Sequence, residues 1–410
     1  MFSGGSVTNT PSPQISRLRL ALALGPLIAI GPLAIDTYLP ALPAMADTYG
    51  VRVTEVERSI SLYMMGTAVG QLLGGPISDH IGRKQVAWGG LLLFALASLL
   101  ISQTQALWQL DMLRVIQALG GGATVVVAAA SVRDWFDGQE AARVLSNIGL
   151  IMLTAPLVAP AFGAAIVHFY SWPLIFIALA AYAGLMMLWV ATVMPNHSPV
   201  AVDRRLRDVA RGWGRVLRHR QAMTIILANG LAFSALFAFI TDSAFVYLRA
   251  YQVGEALFPL LFGVNVVSMI LFNRLNVVLL RRFAALRLMT AALLVQALAT
   301  LALLALIVFS GQPPLILVVP LIMVAAGTVA MVIPNAIASF THFFPHDSGA
   351  ATGINGSLQF LLAGITGMLL TGFHNHTLLP LGIAMVVASV AAVLVIHLQS
   401  GSEEDLGNAS

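Results

Sequence analysis

The chain has 410 residues, 59% of them hydrophobic and 9% charged, against about 25% charged in a soluble domain. That balance excludes an ordinary soluble protein. There is no cysteine, so disulfide frameworks, thiol catalysis and cysteine-ligated metals are excluded as well, and the net charge of +4 has to be explained by where the arginines fall.

Spanning a hydrocarbon core about 30 Å thick takes about 20 apolar residues, and irregular backbone is not tolerated against lipid. The expected fold is therefore an all-α membrane protein. Twelve spans are expected, near 18–46, 54–77, 85–103, 106–131, 142–167, 172–194, 221–248, 256–280, 285–309, 313–340, 347–373 and 376–398. The first begins after Arg17 and Arg19 and is followed by Ala44-Met45-Ala46, which resembles a signal-peptidase site. Its apolar run is too long for a signal h-region and carries Asp36, so it is expected to remain as a span. Pro40 and Pro43 are expected to bend this helix without stopping it.

Lys and Arg set the orientation. Arg17, Arg19, Arg83, Lys84, Arg133, Arg143, the seven arginines between 204 and 220, Arg281, Arg282 and Arg287 fall on one side. Only Arg52, Arg58 and Arg249 fall on the other. Both termini are then expected in the cytoplasm. The run Arg204-Arg205-Leu206-Arg207 reads as a topology determinant, and no nucleic-acid partner is expected.

The long polar stretch after Pro195 divides the chain into a six-helix bundle over 1–195, a basic cytoplasmic linker over 196–220, a second bundle over 221–398 and a tail over 399–410. A shift of 206 residues lays Ala34-Ile35-Asp36-Thr37 on Ile240-Thr241-Asp242-Ser243, a weak internal repeat. Two pseudo-symmetric six-helix halves are the form expected of a transporter with its substrate between them.

A charge in mid-bilayer is costly and usually faces the bundle interior with a partner. Asp36, Arg114 and Asp242 are such charges, and counted along their helices they lie within roughly 6 Å of one another in depth. One reading of Asp36 and Arg114 is a structural ion pair. The other is a proton switch, in which Asp36 keeps its charge beside Arg114 and takes a proton when the two separate in a dry site. Asp242 reads either as a second proton carrier or as a snorkelling interfacial carboxylate. Tyr38, Tyr63, Asn147, Asn229, Asn265, Asn335 and Gln359 are candidate hydrogen-bonding points of a mostly apolar substrate cavity, with Phe233 among its aromatic lining. Each also reads as an ordinary interhelical hydrogen bond or packing residue.

The loop Gly75-Pro76-Ile77-Ser78-Asp79-His80-Ile81-Gly82-Arg83-Lys84 can make a tight turn, with Arg83 free to pair with a carboxylate such as Asp134. Its Gly-x-x-x-Asp-x-x-Gly-Arg-Lys pattern resembles the signature loop of the major facilitator superfamily. Leu110-x-x-x-Arg114-x-x-Gln117 is similar to that family's fourth-helix motif, with Ala118 in place of the usual glycine. Gly149, Pro156, Pro160 and Gly163 resemble its antiporter motif, with Ala155 again replacing a glycine. Ile35 to Pro43 together with Val132-Arg133-Asp134 is similar to the bicyclomycin and chloramphenicol resistance group. The resemblance implies proton-driven drug efflux across the bacterial inner membrane, with Asp36 handling proton or substrate, Arg114 coupled to it and Gly75 to Lys84 with Arg133 and Asp134 as a latch. The second half has lost the aspartate of that loop at Arg281 to Arg287, so one complete latch is expected.

An exporter of a specific metabolite, such as a sugar, nucleoside or amino acid, would use the same scaffold. No nucleophile motif, Walker loop or metal-binding histidine spacing points to an enzyme or a metal site. His374 and His376 read as solvated loop residues, and Gly120-Gly121-Gly122 as close helix packing. The only energy source expected is the proton gradient, with no cofactor, and the chain is expected to act as a monomer.

Overall fold

The computed structural model describes residues 17–136, 138–194, 206–254, 257–344 and 347–407, with side chains over 24–132, 134–136, 144, 154–194, 210–254, 257–344 and 347–397. Among the described residues the regular structure is helical throughout. The first bundle contains α1 (Arg17–Asp36), α2 (Leu42–Tyr49), α3 (Val53–Ile81), α4 (Arg83–Ile101), α5 (Leu107–Trp135), α6 (Gly138–Phe169) and α7 (Pro173–Val193). A short helix, α8 (Leu206–Arg218), leads to the second bundle: α9 (Arg220–Ala244), α10 (Phe258–Leu279), α11 (Ala285–Ser310), α12 (Leu315–Thr341), α13 (Ser348–Gly372) and α14 (Leu379–Gly407).

Ten described segments are long and apolar enough to cross a membrane. The other two expected spans are α3, whose first turns carry Glu55, Glu57 and Arg58, and α6, whose described apolar part is Thr154–Phe169. The chain is an all-helical, multi-pass membrane protein. Within the first bundle α5 packs between α3 and α4, and α4 carries α7 on its other side, with α1 against α5 and α6; within the second, α9 packs on α12, α13 and α14. The bundles meet where α3 lies against α13 and α6 against α10.

The two ends of the molecule differ in character. One carries α2, the start of α3 and the loop 373–378, and is called here the α2 face; the other carries the α3–α4 turn and α8. Several close approaches between bundles lie toward the α2 face: Ser61 against Gly367, Met65 against Gly364 and Leu157 against Gly263. Arg249 and Asp47 add a loose ion pair at its rim, 3.8 Å apart and exposed. α8 is strongly amphipathic. It buries Val216 and packs Trp213 against the core of the second bundle, leaving Arg211, Arg215 and Arg218 exposed.

The expectation that α1 would bend and continue is corrected by the structure. The helix stops at Asp36, a 3-10 turn follows over Leu39–Ala41, and α2 resumes at Leu42. Pro40 and Pro43 lack the N–H groups that would otherwise bond the carbonyls of Asp36 and Leu39, so two rungs within one turn are missing and the regular ladder ends. Ala41 N–H instead closes the turn on the Tyr38 carbonyl at 2.9 Å.

Candidate functional site

Asp36 therefore occupies the last helical position of α1, buried in the first bundle. The residue that fixes this break is Gly163 of the candidate antiporter motif. A Cβ at Gly163 would stand 1.7 Å from the Thr37 carbonyl oxygen, so any side chain there would push α6 off the turn that follows Asp36. Pro156 and Pro160 lie inside α6 on the way to this contact.

Arg114 of α5 is fully buried beside the same turn. Its guanidinium lies between the rings of Tyr38 and Tyr63, 4.4 and 4.2 Å from their centroids, with Phe176 at 6.0 Å. A planar cation between two aromatic faces is a favourable, desolvated cation–π arrangement. Nη1 donates to the Ala34 carbonyl at 3.1 Å and to Gln117 Oε1 at 2.6 Å, and Gln117 Nε2 passes the chain on to Ser98 Oγ at 2.7 Å. Tyr38 Oη is 3.1 Å from Ser59 Oγ.

No ion pair within 4.0 Å joins Arg114 to Asp36, which corrects the expected direct contact. The guanidinium is already engaged by two rings, a carbonyl and Gln117. It grips the backbone two residues before Asp36 and so senses the break through α1 itself.

Asp242 is not part of this group, although counting along the helices puts it at a similar depth. It is fully buried at the end of α9, three residues before a π-helical segment over Phe245–Ala250 begins. That burial disposes of the snorkelling reading. His374 Nε2 stands 3.4 Å from Asp242 Oδ1, with the imidazole side chain 1% exposed. The solvated reading of His374 is thus also corrected: the loop 373–378 folds back over the helix ends, and the Phe245 ring meets the imidazole edge-on at 4.3 Å.

Glu57 completes this second cluster and was missed by the sequence reading. It is fully buried on α3 of the first bundle and accepts a hydrogen bond from Phe245 N–H of the second at 3.1 Å. One signal for it was available. Glu57, Ser61, Met64, Ala68 and Gln71 share one buried helical stripe, whereas Glu55 and Arg58 fall off it.

The candidate latch has the expected geometry at the opposite end. Gly82 adopts φ +105°, open to glycine, and turns α3 into α4. Arg83 then reaches Asp79 at 2.6 Å and Asp134 at 3.0 Å and also donates to Ser78 Oγ. Gly75 enters through its carbonyl, which accepts from Ser78 Oγ at 2.7 Å, and Lys84 Nζ caps the Ala191 carbonyl of α7 at 2.7 Å. The second bundle has a different fastening: Arg215 of α8 makes a two-pronged pair with Asp347, ahead of α13, at 2.7 and 2.8 Å. The side chains of Arg133, Asn147 and Gly149 lie outside the described residues.

The remaining polar candidates do not converge on one point. Asn229 donates to Asn355 and Gln359 at 2.9 and 3.3 Å, tying α9 to α13. Asn335 donates to Asn276 at 2.7 Å between α12 and α10, and Asn265 turns back on its own helix carbonyls. Phe233 sits in a ring cluster with Phe237 and Phe360. Gly120 and Gly122 do pack closely, against Gly90 of α4 and Thr67 of α3.

A twelve-helix membrane carrier with a broken first helix is the class of protein these features define. The chain belongs to the Major Facilitator Superfamily, whose family model matches residues 24–368. It is a transporter and not an enzyme. It is 29% identical over 387 residues to the bicyclomycin resistance protein homolog of Haemophilus influenzae, covering 94% of this chain and 96% of that one. It is 30% identical over 243 residues to the chloramphenicol resistance protein CraA of Acinetobacter baumannii, covering 58% and 59%. Among solved structures, the xylose transporter XylE from E. coli in a partially occluded inward-open conformation superposes with a TM-score of 0.71. The two are 15% identical, over 93% of this chain and 97% of that one, a likeness of fold alone.

Proposed function

We propose that this protein is a proton-driven exporter of small amphipathic antibiotics, of the phenicol or bicyclomycin kind, in the bacterial inner membrane. The observation that carries the reading is the buried carboxyl of Asp36 at the break in α1, next to a turn whose Thr37 carbonyl packs on Gly163 and beside a backbone gripped by Arg114. A titratable group at a joint between helices, with no ion pair to a buried cation, changes its surroundings when the helices move. The relatives' names supply the drug class.

In this scheme the α8 end faces the cytoplasm, where the arginine bias puts it. With that end open, drug enters and displaces the proton from Asp36. With the α2 face open, drug leaves and Asp36 is reprotonated from outside. Each charge moved inward by the membrane potential supplies about 2.3 kcal/mol per 100 mV. Drug shifts the equilibrium only by its differential affinity for the two states, and Tyr38, Tyr63 and Phe233 are the flat surfaces offered to it. The Arg83 latch fixes the α3–α4–α5 ends in one of those states. No cofactor beyond the proton gradient is needed, and one chain suffices.

The test is the release of protons by detergent-solubilised protein when chloramphenicol is added. Wild type is expected to acidify a weakly buffered solution and Asp36→Asn is not. Equal release from both would remove Asp36 from the exchange, and absence of any phenicol or bicyclomycin resistance in a strain lacking its own exporters would remove the drug class.

A further inference from the structure

The seam between the bundles holds a group of buried ionisable side chains that the exchange at Asp36 does not use. Glu57 comes from α3, Asp242 from the end of α9 and His374 from the loop after α13. Both Asp242 oxygens, Glu57 Oε2 and His374 Nε2 are buried with no hydrogen-bond partner among the described residues. The Phe245 N–H that Glu57 Oε1 accepts at 3.1 Å also bonds the Asp242 backbone carbonyl, so the two carboxylates meet at one helix end. Glu57 and Asp242 belong to different bundles and are fully buried, so the site exists in this form only while the α2 face is shut.

The imidazole has a defined part. His374 Nδ1 accepts the His376 N–H at 3.1 Å, which leaves any proton of the neutral ring on Nε2, facing Asp242. Burial, helped by the positive charge of Arg52, pushes the His374 imidazole below its ordinary range, so it is neutral near pH 7 and contributes no compensating cation. The other charged groups at this end are engaged at the rim. Arg52 pairs with Glu55 at 2.8 Å, Arg58 with Asp111, and Arg249 loosely with Asp47. α13 contributes no charged residue over its whole length.

Two carboxylates sealed together without a cation cannot both stay ionised cheaply, since buried unpaired charge is strongly disfavoured. We propose that Glu57 and Asp242, with the neutral His374 ring packed against them, form a proton-binding site in the seam, separate from Asp36, that holds the α2 face shut when the carboxylates are protonated and lets it open when their protons leave. Protons enter from the solution that bathes the α2 face and return to it, so the site gates the cycle without carrying protons across. For the two carboxylates the sign follows from linkage: the closed form binds more of their protons than the open one, so its population rises as pH falls, while His374, held neutral in the closed form, opposes this with a single proton. The direction of the gate rests on the exporter reading above, under which an acidic exterior would speed the return step after drug release; the pH response itself does not.

The absence of native cysteine allows spin labels at Gln105→Cys and Ser310→Cys, exposed positions on the two bundles at the α2 face. Their separation is measured by pulsed electron paramagnetic resonance in nanodiscs from pH 5 to pH 9, without drug. The wild-type background is expected to move from a short to a longer separation as pH rises. Glu57→Gln with Asp242→Asn, neutral at every pH, is expected to stay at the short separation throughout and lose the shift. Asp36→Asn is expected to keep it even where drug-induced proton release is gone, which separates failure of this site from failure of the efflux assignment. A full pH shift in the Glu57→Gln, Asp242→Asn protein, its loss in Asp36→Asn, or no shift in wild type each overturns the proposal. The wild-type titration decides even if the double variant does not fold.

Discussion

The two halves carry aspartates 206 residues apart in sequence, and the structure gives them different surroundings. At Asp36 the α1 helix ends because two prolines withdraw its donors, and the groups that hold the break, Gly163 against the Thr37 carbonyl and Arg114 between two tyrosines, belong to the first bundle, while α9 of the second touches the turn beyond it. At Asp242 the α9 helix shifts into a π-helical segment three residues later, and the neighbourhood is shared between bundles. Both helices lose α geometry beside a buried carboxyl, the kind of interruption that serves functional sites. What differs is the wall. A carboxyl at a break held within one bundle can keep that framework while its exposure to drug and water changes as the bundles rock; one walled by both bundles loses the wall itself. The first arrangement suits exchange and the second suits a gate.

The largest effect expected from breaking this comparison is at Asp36. Asp36→Asn should reduce drug tolerance to that of an empty vector, because the exchanging group is gone, whereas Asp242→Asn should leave drug-induced proton release in place and alter its dependence on external pH. Susceptibility and proton release measured on the same pair of variants check this. Equal loss in both would mean that the two aspartates act as one site.

Next in size is the packing that holds the first break. Gly163→Ala puts a carbon 1.7 Å from the Thr37 carbonyl, and backbone cannot yield as a side-chain tip does. Overpacking of this kind typically costs about 1–3 kcal/mol. A lower melting temperature and loss of efflux are expected, while Gly184→Ala, which meets nothing within 4 Å, should change neither.

The parts of this picture legible in the sequence are those with a local cause. Helix lengths follow from membrane thickness, the Arg83–Asp134 pair from a loop motif and its obvious carboxylate, and the packing of Gly120 and Gly122 from small residues in a span. The end of α1 was half legible: both prolines were visible, but their joint effect depends on which carbonyls they orphan. Glu57 was not recognised because its partner lies on the opposite bundle, and His374 because its loop folds back over the end of α9 in its own bundle; a residue a turn inside a helix end or in a loop reads as solvated until its partner surface is known. The direct Asp36–Arg114 contact failed for a related reason. Helix depth says nothing of azimuth, and two tyrosine rings competed for the cation.

The fastenings at the α8 end differ in burial, and that ranks them. Arg83, Asp79 and Asp134 keep 14%, 20% and 15% side-chain exposure, whereas Arg215 keeps 57%. Exposed pairs contribute about 0.2–1 kcal/mol and are screened by salt. Arg83→Ala should slow transport and lower the melting temperature clearly. Arg215→Ala should have a smaller effect that fades in high salt. A larger loss from Arg215→Ala would show that α8 is the main lock of the second bundle, and the asymmetry between the halves would have to be reversed.

The smallest effect separates framework from cavity in the second half. Asn335 and Asn276 bond at 2.7 Å between α12 and α10, and both are buried. Hydrogen bonds between helices in membranes average about 0.6 kcal/mol, so Asn335→Ala should lower the melting temperature slightly and leave the order of drug susceptibilities unchanged. Phe233→Ala, in the ring cluster with Phe237 and Phe360, should instead reorder them, since a flat apolar surface discriminates ligands by shape. The comparison is read as a ranking over several drugs and not as a single resistance level, because a general loss of folded protein lowers every value together. A changed ranking in Asn335→Ala would mean that the α10–α12 contact opens to substrate during the cycle, and the second bundle would then contribute its polar pairs to recognition as well as its rings.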